Sequence, residues 1–178
     1  IDEINQTTVG INDNILTLAI DSNANLWAGA MQAGLYKIDN KRKISHYVHY
    51  PNNLNALSGS AIYCIYVFNK DSLLIASEKG IDIYQPDKDT FSNILKCKQD
   101  DYAFSNIKTY KNKLYLFDFS GFYCYDRTNK KVSEYDLRKF AHYIQCGHVS
   151  KNGQIWLGTS KGEVFIYKDS DSLNPIVD

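Results

Sequence analysis

The chain has 178 residues, 44% of them hydrophobic, with 14 Tyr and 8 Phe, which is enough for one domain or two small ones and favours strands over helices. Twenty Lys plus Arg balance twenty Asp plus Glu, so there is no electrostatic footprint for a nucleic acid or an anionic membrane surface. No stretch approaches the roughly eighteen apolar residues of a membrane-spanning helix, no signal segment stands at Ile1, and a chain opening on Ile rather than Met is expected to be a piece of a longer one.

In chain order, Ile1–Ile4 read as the last strand of a blade whose earlier part is absent. Four strands are then predicted at Ile15–Ile20, Leu26–Ala30, Leu35–Ile38 and Ile44–Tyr50. A polar hairpin, Ser22-Asn23-Ala24-Asn25, joins the first two, and Gly34 turns the second into the third. The layout recurs. Turn glycines fall at Gly34, Gly80, Gly121 and Gly162, at spacings of 46, 41 and 41 residues. A bulky residue precedes each on the middle strand: Trp27, Leu74, Tyr115 and Trp156. A further strand opens after each glycine, at Ile44, Phe91, Val132 and Leu173. The first hairpin stays polar in the later copies, as Asn69-Lys70-Asp71-Ser72, Lys111-Asn112-Lys113 and Lys151-Asn152-Gly153-Gln154.

Roughly forty residues and four antiparallel strands per copy is the size of a β-propeller blade, whose two apolar faces must be buried against neighbours. The expected fold is therefore all-β: a propeller segment of about four four-stranded blades, taken as an arc of a larger propeller. The alternative is a four-bladed ring with Ile1–Ile4 completing its last sheet. The boundaries expected are 1–13 for the end of a preceding blade, then 14–57, 58–99, 100–140 and 141–178. Trp27 and Trp156 are expected to pack between blades, and Gly29 and Gly158 to admit a close neighbour. Leu137–Tyr143, the one helix-like stretch, is assigned to a loop.

The first copy runs Asn14-Ile15, Leu18, Asp21, Leu26-Trp27, Gly29 and Gly34-Leu35; the last keeps Ile155-Trp156-Leu157-Gly158-Thr159 through Gly162. The pattern resembles the two-component regulator propeller repeat. The two middle copies, Leu74-Ile75-Ala76-Ser77 and Tyr115-Leu116-Phe117-Asp118, lack its Trp and Gly. The resemblance implies an extracytoplasmic, periplasmic sensor segment of a hybrid two-component system, of the kind Bacteroidetes use for polysaccharide fragments. WD40 repeats are set aside: no Trp-Asp pair occurs, and Trp156 follows His148 by only eight residues.

No catalytic or metal motif is present, so no enzyme activity and no cofactor are expected. His46 and His49 stand three apart on a predicted strand and face opposite ways, unsuited to sharing a metal. Cys64, Cys97, Cys124 and Cys146 form no C-x-x-C pair and read as buried thiols, with a disulfide left open. In a propeller, the loops joining strand four to the next strand one, and strand two to strand three, crowd one face. Candidate ligand contacts there are Asn12, Asn14, Gln32, Glu78, Lys79, Asp118, Phe119, His142, Tyr143 and Lys161. Amides, a few charges and exposed rings suit an oligosaccharide. Expected partners are that glycan, the remaining blades and signalling domains of a membrane-anchored parent, and a second copy of the chain. The competing readings are a protein-docking scaffold and a lyase-like propeller using histidines with a divalent metal.

Overall fold

The computed structural model describes residues 11, 13–69, 72–96, 104–139, 143–168 and 172–175; the strand expected at Ile1–Ile4 lies outside the described residues, as do Asn12, Cys97 and His142. The first sheet contains β1 (Ile15–Ile20), β2 (Leu26–Ala30), β3 (Leu35–Ile38) and β4 (Ile44–Tyr47). The second contains β5 (Ile62–Asn69), β6 (Ser72–Ser77), β7 (Gly80–Gln85) and β8 (Thr90–Lys96). The third contains β9 (Asn106–Tyr110), β10 (Lys113–Asp118), β11 (Gly121–Asp126) and β12 (Lys131–Asp136). The fourth contains β13 (Ile144–Val149), β14 (Ile155–Thr159), β15 (Val164–Lys168) and β16 (Ser172–Pro175). Each sheet is an antiparallel meander in chain order, and there is no helix among the described residues. β4 stops at Tyr47, short of the expected Tyr50, because His49 leaves the sheet to bridge Leu57 and the chain turns at Tyr50–Asn53.

Successive side chains of a strand face opposite ways, so each sheet offers one face to the blade before it and one to the blade after. Three cores fill the interfaces. Trp27 and Leu35 meet Ile62, Ile65 and Ile75 between the first and second sheets. Leu74, Ala76 and Ile81 meet Ile107, Leu114 and Leu116 between the second and third. Tyr115, Phe117 and Phe122 meet Ile144, Ile155 and Leu157 between the third and fourth. Trp27, Leu74 and Tyr115 thus perform one task, packing on the following blade. Trp156 holds the same position in the fourth sheet and is only half-buried. At the other end, Leu18 and Ile20 occupy the positions of Ile65 and Val67, which pack on a preceding blade, yet are 63% and 67% exposed.

The repeat motif has a polar clasp. The Asp21 carboxylate accepts from the backbone N–H groups of Asn23 and Asn25, from Asn25 Nδ2, and from Trp27 Nε1 at 2.8 Å. It closes the first hairpin and fixes the indole that fills the interface. Ala24, at φ 60°, carries the left-handed turn between them. The register glycines have a steric cause as well: a Cβ on Gly80 or Gly121 would collide with the carbonyl oxygen of Leu95 or Tyr135 in the outer strand. Of these three glycines, the tightest contact falls at neither Gly29 nor Gly158 but at Gly147, whose missing Cβ leaves room for the ring of Phe117. Gly29 faces Ile62 of the next blade, and Gly158 faces Cys146. Of the cysteines, Cys124 is buried and Cys64 half-buried, with no disulfide among the described residues. Cys146 departs from the expectation and is exposed: it holds the position of Cys64, which packs on the third blade, but on a face of the fourth sheet that no blade covers among the described residues.

Candidate functional site

The ends of β4, β8 and β12, the starts of β5, β9 and β13, and the turns β2–β3, β6–β7, β10–β11 and β14–β15 all lie at one edge of the sheets. The acids at this edge, the candidates Glu78 and Asp118 and with them Asp13, which was not a candidate, are spent on holding it rigid. Asp13 accepts from the backbone N–H groups of Asn14 at 2.7 Å, Gln32 at 2.6 Å and Ala33 at 2.7 Å. The Gln32 bond above all holds its carboxyl below the ordinary range, against an opposing push from burial. Glu78 reaches back to the N–H groups of Ser60 and Ala61, at 3.0 and 2.9 Å. Asp118, 1% exposed, accepts from Ser120 N, Ser120 Oγ and Gly121 N. That burial corrects its expected place on the ligand face. Burial also pushes the Asp118 carboxyl up, more than those bonds pull it down, and the charge of Glu134 adds to the rise.

What the clamped turns present outward is different. Phe119 is 41% exposed and Tyr143 70% exposed, with ring centroids 6.4 Å apart at 85°. The pair straddles the third and fourth blades on a backbone fixed from both sides: Ile144 N–H donates to Phe119 O, and Ser160 N–H donates to Tyr143 O. Lys161, the neighbour of Ser160, is exposed, as are Asn14 and Gln32 on the first blade. Asn12 and His142 lie outside the described residues.

The same edge holds a groove of about 320 Å³ at Lys79 and Ser58, of which sequence reasoning singled out only Lys79. The long β4–β5 connection arches over the second blade, so that His49, Tyr50, Leu54 and Lys96 join them as lining. Its floor is built. The Asp82 carboxylate, fully buried, accepts from Ser58 N and Oγ and from Asn93 Nδ2. Burial raises its pKa in spite of those bonds. His49 Nδ1 lies 2.8 Å from Leu57 O and pins the arch, while His46 stacks on Tyr36 at 4.1 Å and reaches Ala33 O. The hydrogen-bonded arch follows from a stretch rich in Asn and Ser, residues that fold loops on their own backbone. Among the described residues, no three His, Cys, Asp or Glu come together as metal ligands.

Four four-stranded antiparallel blades packed face to face, with their alternate loops gathered at one edge, define a β-propeller segment. Solved structures agree. The chain is similar to the extracellular domain of BT3049, assigned to the hybrid two-component systems of B. thetaiotaomicron, at 19% identity and a TM-score of 0.73, over 97% of this chain and 25% of that one. The extracellular domain of BT4673 from the same organism gives 21% identity and a TM-score of 0.70, over 95% and 22%. Virginiamycin B lyase from Staphylococcus aureus gives 13% and 0.69, over 93% and 56%. This chain thus spans about a quarter of the length of the two sensor-system domains. No protein-family model and no curated protein sequence matches it.

Proposed function

We propose that this chain is part of a ligand-sensing propeller outside the cytoplasmic membrane, within a two-component sensor, and that it recognises an oligo- or polysaccharide fragment at the edge carrying Phe119 and Tyr143. The observation that carries the reading is this exposed aromatic pair held on hydrogen-bonded turns. A sugar stacks its apolar face on a ring and satisfies its hydroxyls with neighbouring polar groups. Ordering the site in advance lowers the entropy lost on binding. Lys161 beside the pair and the Lys79 groove on the same edge supply donors. The extracellular sensor-system domains among similar structures support the location and the signalling role.

The exposed Leu18 and Ile20, matched by Ile65 and Val67 elsewhere in the repeat, support a place within a longer array of blades. Any kinase activity then belongs to other parts of the parent chain. Titration calorimetry with a panel of oligosaccharides tests the proposal. At least one glycan binds, and Phe119→Ala and Tyr143→Ala each weaken it by about tenfold, the loss of one stacking contact of ~1–1.5 kcal/mol. Binding that ignores both substitutions, or no binding by any glycan, overturns it.

A further inference from the structure

At the opposite edge of the sheets, the repeat register exposes a second difference between blades. The residue paired across β2 and β3 with Trp27 is Lys37. Its counterparts are Ile83, paired with Leu74, and Cys124, paired with Tyr115. All three side chains point into an interface between blades, so the same location is filled by a long cation, a branched alkyl group and a short thiol.

Between the first and second blades, Lys37 enters an aromatic box. Trp27, Tyr47, Tyr84 and Phe91 lie within ring-contact distance of one another, with centroid separations of 4.7–6.0 Å. The Lys37 ammonium sits 5.2 Å from the Trp27 centroid and 5.5 Å from that of Tyr84, and donates to Tyr84 Oη at 3.3 Å. This is cation–π geometry.

The third and fourth blades rebuild that box from their own residues. Phe122 stacks on Tyr135 at 4.5 Å, Tyr167 stands edge-on to both at 5.1 and 5.6 Å, and Tyr115 lies 6.2 Å from Phe122. Tyr115, Tyr135 and Tyr167 hold the register positions of Trp27, Tyr47 and Tyr84. The lysine position is Cys124, too short to reach across. A cavity of about 270 Å³ lies there, lined by these four rings and Cys124, with Asn152 and Gln154 at its mouth. Lys113 also lines it and is paired across β10 and β11 with Asp126, whose carboxyl the Thr128 backbone N–H above all holds below its ordinary range.

We infer that this cavity between the third and fourth blades is a binding site for an organic ammonium group, which takes the place that Lys37 fills at the first interface. The inference does not rest on glycan recognition, because the cavity opens at the edge away from Phe119 and Tyr143. An alkylated ammonium suits it best: it carries the charge that aromatic faces attract and loses less hydration on entry than a primary one.

The test is a calorimetric or NMR titration of the chain with choline and tetramethylammonium, at constant ionic strength, against the neutral isostere 3,3-dimethylbutan-1-ol. Both cations are expected to bind at least tenfold more tightly than the alcohol. Cys124→Ile and Cys124→Lys, which import the fillers of the other two interfaces, are expected to abolish binding; Cys124→Ser is expected to retain it. Should the lysine variant misfold, the isoleucine variant decides. Conversely, Lys37→Cys is expected to open the first box and add a second equivalent of bound choline. Equal affinity for choline and the alcohol reduces the site to an apolar void and overturns the inference. So does unchanged choline binding in the folded isoleucine variant, or no binding of either cation.

Discussion

Substituting Gly147 by alanine tests whether blade-to-blade contact is as tight as the geometry requires. Gly147 lies in β13 with an ordinary negative-φ backbone, so alanine meets no conformational penalty and gains about 0.5–1 kcal/mol of strand stability over glycine. Against that, the new Cβ would fall within the van der Waals surface of the Phe117 ring, on three of its atoms at once. Phe117 cannot swing aside cheaply, being fully buried and packed on Phe122 at 5.9 Å. Either the ring leaves its rotamer or the third and fourth blades separate, and overpacking of this kind costs about 1–3 kcal/mol. A net loss of about 1 kcal/mol is expected, or about 2–4 °C in Tm for a chain of this size. Urea denaturation of a double-mutant cycle separates the steric cause from others. Phe117→Ala alone costs about 3–5 kcal/mol, but in its presence Gly147→Ala should cost nothing or stabilise slightly. A single Gly147→Ala variant within 0.5 kcal/mol of the parent, or an additive double mutant, refutes the reasoning.

Two further predictions concern the buried and half-buried acids. Asp21→Ala removes four accepted hydrogen bonds and leaves the Trp27 indole N–H unpartnered, for an expected loss of about 2 kcal/mol measured by urea unfolding. Burial alone would raise the Asp21 carboxyl, but the bonds from Trp27 and Asn25 outweigh it and hold it below 3.8, so its contribution is present at neutral pH and is lost as pH falls below that value. A variant as stable as the parent at pH 7 would show that the indole alone holds the interface. Asp118 behaves in the opposite sense. Its folded pKa is raised, so its contribution is full below 3.8 and declines as pH rises through the folded value. Asp118→Asn keeps an acceptor at Oδ1 for Ser120 and Gly121 and removes the charge at Oδ2, a buried atom with no hydrogen-bond partner. Its stability relative to the parent is therefore expected to increase from pH 4.5 to pH 7.5, and parallel pH profiles would count against this account.

The fold was legible because turn chemistry and spacing repeat. Gly34, Gly80 and Gly121 mark the register in the sequence and, in three dimensions, each meets a carbonyl of its outer strand that no Cβ could approach. Trp27 was legible as packing, but its bond to Asp21 was not, since six residues separate them and only the closed hairpin brings them together. The loop edge was legible as a place and less so as chemistry. Glu78 and Asp118 look like ligand contacts in a polar sequence, whereas each, like Asp13, satisfies backbone N–H groups that a tight turn would otherwise leave without partners. His49 and Lys96 could not be assigned to one groove from sequence, because the arch that unites them runs between two blades.

The middle repeats carry the consequence. A scaffold whose interfaces were all alike would leave only its loop edges to vary, and conservation of the Trp-Gly pattern at the two ends of the chain points that way. Yet Tyr115 and Cys124, where the pattern decays, still build a box of rings around the position that Lys37 fills elsewhere. Losing the tryptophan did not loosen the third interface: Phe117 packs into Gly147 more closely than any side chain approaches Gly29. The tight inner contact holds the two blades at a fixed separation, so the missing lysine volume further out cannot be recovered by collapse. A cavity persists where a packed interface would otherwise have closed, and the same decay that obscures the repeat in the sequence creates room for a ligand.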